Sequence, residues 1–132
     1  MQAIINIDGA SRGNPGPAAI GVVIRDEQKK VIAHISQAIG HATNNQAEYR
    51  AIIAALEKAV SLGISEVEIR SDSELLVRQI TGRYKVKSAG LIPLYTKAKQ
   101  LQSRMRSFTI THIPREENKE ADGLANKALR AK

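Results

Sequence analysis

Cysteine is absent from this 132-residue sequence, which excludes disulfide bonds, thiolate metal sites and a cysteine nucleophile. Aromatic residues make up only 3%, so a broad base-stacking surface of the kind that single-strand-binding proteins use is not expected. No apolar run approaches the ~18 residues that span a bilayer, and no basic segment followed by an apolar core opens the chain. We therefore expect one cytoplasmic domain over residues 1–132, with no membrane contact, and a monomer by default.

Positive charge is concentrated in the second half of the chain. Residues 1–77 hold seven Lys/Arg and nine Asp/Glu, which gives a net charge of −2. Residues 78–132 hold thirteen Lys/Arg and four Asp/Glu, which gives a net charge of +9. Such an asymmetry favours a polyanionic partner, because neutralising phosphates releases condensed counterions. A solvated basic surface explains it equally well, so charge alone does not establish nucleic-acid binding.

The hydrophobic pattern predicts an α/β fold. β-Branched or alternating segments indicate strands, the glycine- and proline-rich segment 9–17 indicates a turn, and apolar residues at helical spacing indicate helices. The first three strands would form an antiparallel meander, and the helix between strands three and four would make their β-α-β unit parallel. The result is a five-stranded mixed sheet with helices on both faces. The predicted strands are 3–8, 19–26, 31–39, 66–72 and 107–114, and the predicted helices are 43–63, 73–82, 90–104 and 118–132.

Acidic residues stand where predicted strands end and predicted helices begin. Asp8 ends the first strand, and Asp72 ends the fourth. Glu48 lies near the start of helix 43–63, and Asp122 lies one turn into the last helix. Sites in open α/β sheets form outside the ends of the central strands, so Asp8 and Asp72 would face each other if their strands are neighbours.

Each acid also has an ordinary structural explanation. Glu48 and Asp122 could complement helix dipoles, Asp72 could cap the helix that follows it, and Asp8 could be a turn residue. Taken together these explanations weaken, because an unpaired carboxylate at the end of an apolar strand is costly to bury. Clustered carboxylates call for a hard cation, and oxygen ligands suit Mg²⁺ or Mn²⁺. The spacing indicates an acidic metal site without excluding structural acids.

Four sequence blocks resemble the type 1 ribonucleases H, in the order of that family and over nearly the whole chain. Asp8 lies in IDGASRGNPGPAAIGVVI, Glu48 in TNNQAEYRAIIAALEKA, Asp72 in IRSDSELLVRQITG and Asp122 in REENKEADGLANKA. The resemblance implies a ribonuclease H fold and hydrolysis of the RNA strand of an RNA–DNA hybrid, leaving 5′-phosphate and 3′-hydroxyl ends. It also implies two Mg²⁺ ions, with Mn²⁺ as a substitute, held by these four carboxylates.

The resemblance further implies which residues contact the substrate. The backbone of Gly9, Ala10 and Ser11 matches positions that touch the minor groove or the RNA 2′-hydroxyls, which distinguish RNA from DNA. A longer set of side chains matches further contact positions: Asn44, Asn45, Gln46 and Ser73 for the groove and hydroxyls, and Thr43 and Asn14 for a phosphate of the DNA strand. Thr43 and Asn44 could also cap the helix, and the two roles are compatible.

The sequence departs from many type 1 enzymes in two places. The region after the third acid is too short for their basic, tryptophan-containing protrusion; Arg83, Lys85 and Lys87 either replace it in part or form a solvated loop. The segment before Asp122 is about four residues shorter than the family's histidine-bearing loop. We therefore expect Arg115 to act as a mobile cation near the scissile phosphate, although it could instead pair with a neighbouring glutamate. His112 precedes that loop and is not assigned the role.

Other functions compete with this one. A catalytically weak or inactive module that binds hybrids or double-stranded RNA would share the basic surface, but none of the four acids is missing. An exonuclease or strand-transfer enzyme of the same superfamily would arrange its acids differently. A domain detached from a reverse transcriptase is a third origin, although a start at Met1 favours a stand-alone protein.

Overall fold

The computed structural model describes residues 2–131. Five strands, four α-helices and one short 3₁₀ turn follow one another along the chain. The strands are β1 (Gln2–Ser11), β2 (Gly16–Arg25), β3 (Val31–Ala42), β4 (Glu66–Ser71) and β5 (Ser107–His112). The helices are α1 (Asn44–Ser61), α2 (Glu74–Ile80), α3 (Ile92–Ser103) and α4 (Lys119–Arg130), and the 3₁₀ turn is Arg115–Glu117.

The strands form one mixed sheet in the order β3-β2-β1-β4-β5. The pairs β1–β2 and β2–β3 are antiparallel, whereas β1–β4 and β4–β5 are parallel, which confirms the predicted fold class. The register aligns Ile7 of β1 with Ser71 of β4, so the next residue of each strand lies at the same edge. The direct parallel pairing of β1 with β4 thus places the ends of these two strands side by side.

Helices cover both faces of the sheet, as predicted. Ile5 and Ile7 of β1 pack with Ile52 and Leu56 of α1 in the main core. On the opposite face, Ala19 of β2 packs with α4. Gly21 of β2 lets α4 lie close to the sheet, because a Cβ at this position would overlap the backbone of α4. Among the described residues, no helix has both the length and the apolar character required to cross a membrane.

The structure corrects several predicted boundaries. The first strand continues three residues past Asp8 to Ser11, and β2 begins at Gly16, so the turn is confined to residues 12–15 rather than 9–17. The residues of β1 pair with β2 as far as Ser11, and this pairing outweighs the preference of Gly9 for a turn. Glu48 lies near the start of α1 but beyond its first turn, and the segment before Asp122 contains the 3₁₀ turn.

Candidate active site

Three carboxylates meet at the edge where the parallel strands end. Asp8 lies near the end of β1, Asp72 directly follows β4, and Glu48 reaches the same point from α1. One oxygen from each lies within 4.8 Å of the other two. This confirms the predicted juxtaposition of Asp8 and Asp72. Because Ser73 is the N-cap of α2, the capping explanation for Asp72 is wrong.

Glu48 is fixed by the strand beside it. The backbone amide of Gly9 donates a hydrogen bond of 2.9 Å to its Oε1. Gly9 must approach α1 closely for this, and a Cβ at position 9 would overlap the backbone of Ala47. A glycine directly after Asp8 therefore has a physical reason: it lets the strand and the helix bring two acids together.

Asp122 completes the acidic cluster from α4. It lies in the first turn of that helix, and its proximity to Asp8 contributes to the raised pKa of Asp8. Its Oδ1 accepts a 3.2 Å hydrogen bond from Asn126. The guanidinium of Arg115 lies 4.0 Å from the same oxygen. All four predicted metal-binding acids thus converge, with three in the tight group and Asp122 beside them.

Burial and the neighbouring negative charges disfavour the ionised forms of Asp8 and Glu48. Burial, followed by the charges of Asp72 and Asp122, raises the pKa of Asp8 to about 8, against its ordinary value of 3.8. Burial and the charges of Asp8 and Asp72 also raise the pKa of Glu48 well above its usual range. A bound divalent cation would favour the ionised forms, and the donors are all oxygens, which hard cations prefer. The cluster therefore fits Mg²⁺ or Mn²⁺.

Among the described residues, Arg115 forms an ion pair with one of these acids, Asp122. It begins the 3₁₀ turn before α4, and its side chain is 81% exposed. The alternative pairing with Glu116 or Glu117 is not among the ion pairs of the described residues, whereas the contact with Asp122 is. A largely free guanidinium beside an acidic cluster can reach a phosphate bound there.

The acids lie in an open cleft of about 760 Å³. Of the expected substrate contacts, Gly9, Ala10, Ser11 and Asn44 line it. The amide of Ser11 donates a 2.8 Å hydrogen bond to Asn44 Oδ1, which ties the end of β1 to the start of α1. The other expected contacts do not line the cleft: Asn14, Thr43, Asn45, Gln46 and Ser73.

Several of those outer residues have clear structural roles. Thr43 caps α1 in a reciprocal arrangement with Gln46: each side chain bonds the other's backbone amide. Asn14 accepts a 2.9 Å hydrogen bond from the amide of Asn44. The hydroxyl of Ser73 caps α2. These roles confirm that Thr43 is a cap, while its substrate role stays a prediction.

Sequence reasoning missed four residues that border the acids. Arg12, Asn126 and Arg130 line the cleft, and Asn118 is buried beneath it with a hydrogen bond to Asp72. The helical spacing of Asn126 and Arg130 from Asp122 could have identified them, since residues four apart share a helix face. Asn118 lies in the block REENKEADGLANKA that resembles the family, but its contacts could not be predicted because its partners lie far away in the sequence.

Two other groups lie away from the acids. His112 ends β5 and lines a separate depression beside Glu74 and Arg78, so it is not part of the cleft. The loop after α2 is exposed at Arg83, Lys85 and Lys87.

Comparisons with known proteins agree with this geometry. The family described as "Reverse transcriptase-like" matches residues 6–128. Bifunctional protein Rv2228c of Mycobacterium tuberculosis is 48% identical over 132 residues, which are 99% of this chain and 36% of that protein. Ribonuclease HI of Halobacterium salinarum is 47% identical over 122 residues, which are 92% of this chain and 61% of that protein.

Solved structures give the same result. The crystal structure of RNase H1 from Halobacterium salinarum has a TM-score of 0.97 and 43% identity, covering 100% of both chains. LC11-RNase H1, isolated from compost by a metagenomic approach, was solved in complex with an RNA/DNA hybrid. That complex has a TM-score of 0.93 and 46% identity, covering 98% of this chain and 97% of the other. The chain therefore belongs to the type 1 ribonuclease H family.

Proposed function

We propose that the chain is an endoribonuclease that hydrolyses the RNA strand of an RNA–DNA hybrid with the help of two divalent metal ions. The observation that carries the proposal is the group of Asp8, Glu48 and Asp72, whose oxygens lie within 4.8 Å of one another in an open cleft. The similarity to LC11-RNase H1, solved in complex with an RNA/DNA hybrid, supports the choice of substrate.

The four acids would together coordinate two Mg²⁺ or Mn²⁺ ions. When bound, such ions activate a water molecule for attack and stabilise the departing oxygen of the phosphodiester. Asp8 and Asp72 would be the central ligands, as the resemblance to the family implies, and would serve both ions. Glu48 would serve the ion nearer the leaving 3′ oxygen, and Asp122 the ion nearer the attacking water. The products would carry 5′-phosphate and 3′-hydroxyl ends.

Backbone and amide groups beside the acids would recognise the hybrid. Gly9, Ala10, Ser11 and Asn44 line the cleft and lie within reach of a strand that passes over the acids. We assign them contacts to the minor groove and to the 2′-hydroxyls, together with Asn45, Gln46 and Ser73 further out. Thr43 and Asn14 lie outside the cleft lining, where a phosphate of the DNA strand would pass.

The cations around the cleft would hold the RNA backbone near the acids. Arg12, Arg115 and Arg130 line the same cleft as the four carboxylates. A guanidinium is a cation rather than a proton donor in catalysis, so Arg115 would stabilise negative charge on the phosphate. Because its guanidinium lies 4.0 Å from Asp122, that charge would lie beside the ion nearer the attacking water.

The test is the chemistry of the cut ends. We would digest a hybrid whose RNA strand carries a 5′ label, and then extend the fragments with a polymerase that requires a 3′-hydroxyl. We expect extendable fragments from the wild type and none from Asp8→Asn, which keeps the side-chain shape but removes the charge. Asp26→Asn, in the turn between β2 and β3, is the matched control and should cut like the wild type.

Two results would count against the proposal. Fragments ending in a cyclic phosphate would mean that the RNA 2′-hydroxyl attacks instead of water. Binding of the hybrid without any cleavage, in Mg²⁺ and in Mn²⁺, would mean that the chain is a non-catalytic hybrid-binding module.

A further inference from the structure

Asn118 occupies the N-cap position of α4 but does not cap the helix. Asparagine is among the residues that most often cap a helix with the side chain, yet this side chain makes no such hydrogen bond. The residue is only 1% exposed. A buried amide that leaves the nearest backbone donors unused must have its partners elsewhere.

Those partners belong to the acidic cluster. The amide nitrogen of Asn118 donates hydrogen bonds to the carbonyl of Ile7, at 2.8 Å, and to Oδ2 of Asp72, at 3.3 Å. Its carbonyl oxygen Oδ1 accepts a 3.0 Å bond from Asn6. The backbone carbonyl of Asn118 accepts the amide of Asp122 at 3.1 Å. One residue thus bonds to one acid, to the peptide preceding a second acid, and to the backbone of a third.

We propose that Asn118 is a positioning residue, which sets Asp72 against Asp8 and Asp122 before a metal ion binds. This inference rests on the proposed function, since it assumes that the acids hold metal. Carboxylates that repel one another tend to rotate away from each other when no cation is present. When a cation binds, each carboxylate must return to the orientation that coordinates it. A hydrogen bond from a buried amide restrains Asp72 in advance, which lowers the cost of binding.

The shape of asparagine suits this task. Its amide carries two N–H donors, and the carbonyl of Ile7 and the carboxylate of Asp72 engage that nitrogen. A serine at position 118 would still be a good N-cap residue, but its single hydroxyl proton cannot serve both acceptors. Serine therefore weakens the restraint on the acids and keeps a side chain with a high N-cap preference, whereas alanine has neither property.

The experiment measures Mn²⁺ binding to the substrate-free protein by calorimetry at one fixed pH, for the wild type, Asn118→Ala and Asn118→Ser. Asn6→Ala is the matched control: Asn6 bonds to Asn118 but to none of the acids in the cluster. Circular dichroism checks that each variant folds, and binding of a hybrid in EDTA checks the substrate surface without metal.

We expect the dissociation constant for Mn²⁺ to rise about 10-fold in Asn118→Ala, the lower end of the range for residues that orient metal ligands. The rise should be smaller in Asn118→Ser and absent in Asn6→Ala, with hybrid binding in EDTA unchanged in all of them. A folded Asn118→Ala or Asn118→Ser that binds Mn²⁺ like the wild type overturns this inference alone. A wild type that binds no Mn²⁺ overturns both the inference and the proposed function.

Discussion

Replacing Asp8 by asparagine should stabilise the metal-free protein while it abolishes the proposed reaction. A carboxyl whose pKa is raised in the folded state keeps its proton at pH values where the unfolded chain has lost it. The folded state then binds more protons than the unfolded state, so stability falls as pH rises from about 4 to about 8. Burial and the neighbouring acids Asp72 and Asp122 raise the pKa of Asp8 to about 8, so this penalty is present near neutral pH.

The size of the effect follows from that shift. Between the ordinary value of 3.8 and pH 7 lie about 3 pH units, and each is worth about 1.4 kcal/mol, which gives a ceiling of about 4 kcal/mol at pH 7. Asparagine is never charged and avoids this penalty, but its buried amide must find new partners. We therefore expect Asp8→Asn to gain about half of the ceiling, roughly 2 kcal/mol.

Urea unfolding in EDTA at pH 4.5, 7 and 8.5 measures the effect. The gain should be small at pH 4.5 and largest at pH 8.5. Glu27→Gln, an exposed acid in the turn before β3, is the control and should change little. With excess Mn²⁺ the wild type should become more stable than Asp8→Asn. A ligand at 100 times its dissociation constant adds about 2.7 kcal/mol to the free energy of unfolding of the protein that binds it. An Asp8→Asn protein that is less stable than the wild type in EDTA at pH 8.5 would refute the reasoning.

Three further predictions test other parts of the structure. Gly9→Ala should lose about 3 kcal/mol in urea unfolding, because its Cβ overlaps the start of α1; unchanged stability would contradict the close approach. Arg115→Ala should lower kcat about 10-fold with KM unchanged, and Arg115→Lys should restore part of it; equal rates in all of these proteins would leave Arg115 without a catalytic role. Alanine at Arg83, Lys85 and Lys87 together should weaken hybrid binding and reduce the slope of log K against log salt by up to ~0.9 for each lost phosphate contact. An unchanged slope would make these residues a solvated loop.

The strand directions could be predicted from local patterns, and the main acidic pair could be predicted on the condition that the first and fourth strands are neighbours. A helix between two strand patterns implies a parallel crossover, and a parallel crossover brings the ends of the two strands to the same edge. Asp8 lies on β1 and Asp72 follows β4, so they meet because these two strands pair directly in parallel, which the order of elements left as a condition. The roles given to individual acids and substrate contacts, in contrast, come from resemblance to the family.

The rest of the site depends on contacts that no local pattern carries. Asn118 lies 111 residues from Ile7 in the sequence, and its N-terminal helix position predicts a cap that the structure does not contain. The strand that continues to Ser11 runs through a glycine that signals a turn, and only pairing with β2 and contact with α1 make the extended form favourable. Tertiary contacts outweighed local preference in both places.

Cleavage of a labelled RNA–DNA hybrid, beside RNA–RNA and DNA–DNA duplexes of the same sequence, tests the central claim most directly. Each substrate would be incubated with Mg²⁺, with Mn²⁺ and with EDTA. The four-carboxylate account predicts internal cuts in the RNA strand of the hybrid alone, in the presence of either metal and never in EDTA. Cleavage that continues in EDTA, or a hybrid that stays intact in both metals, would contradict it.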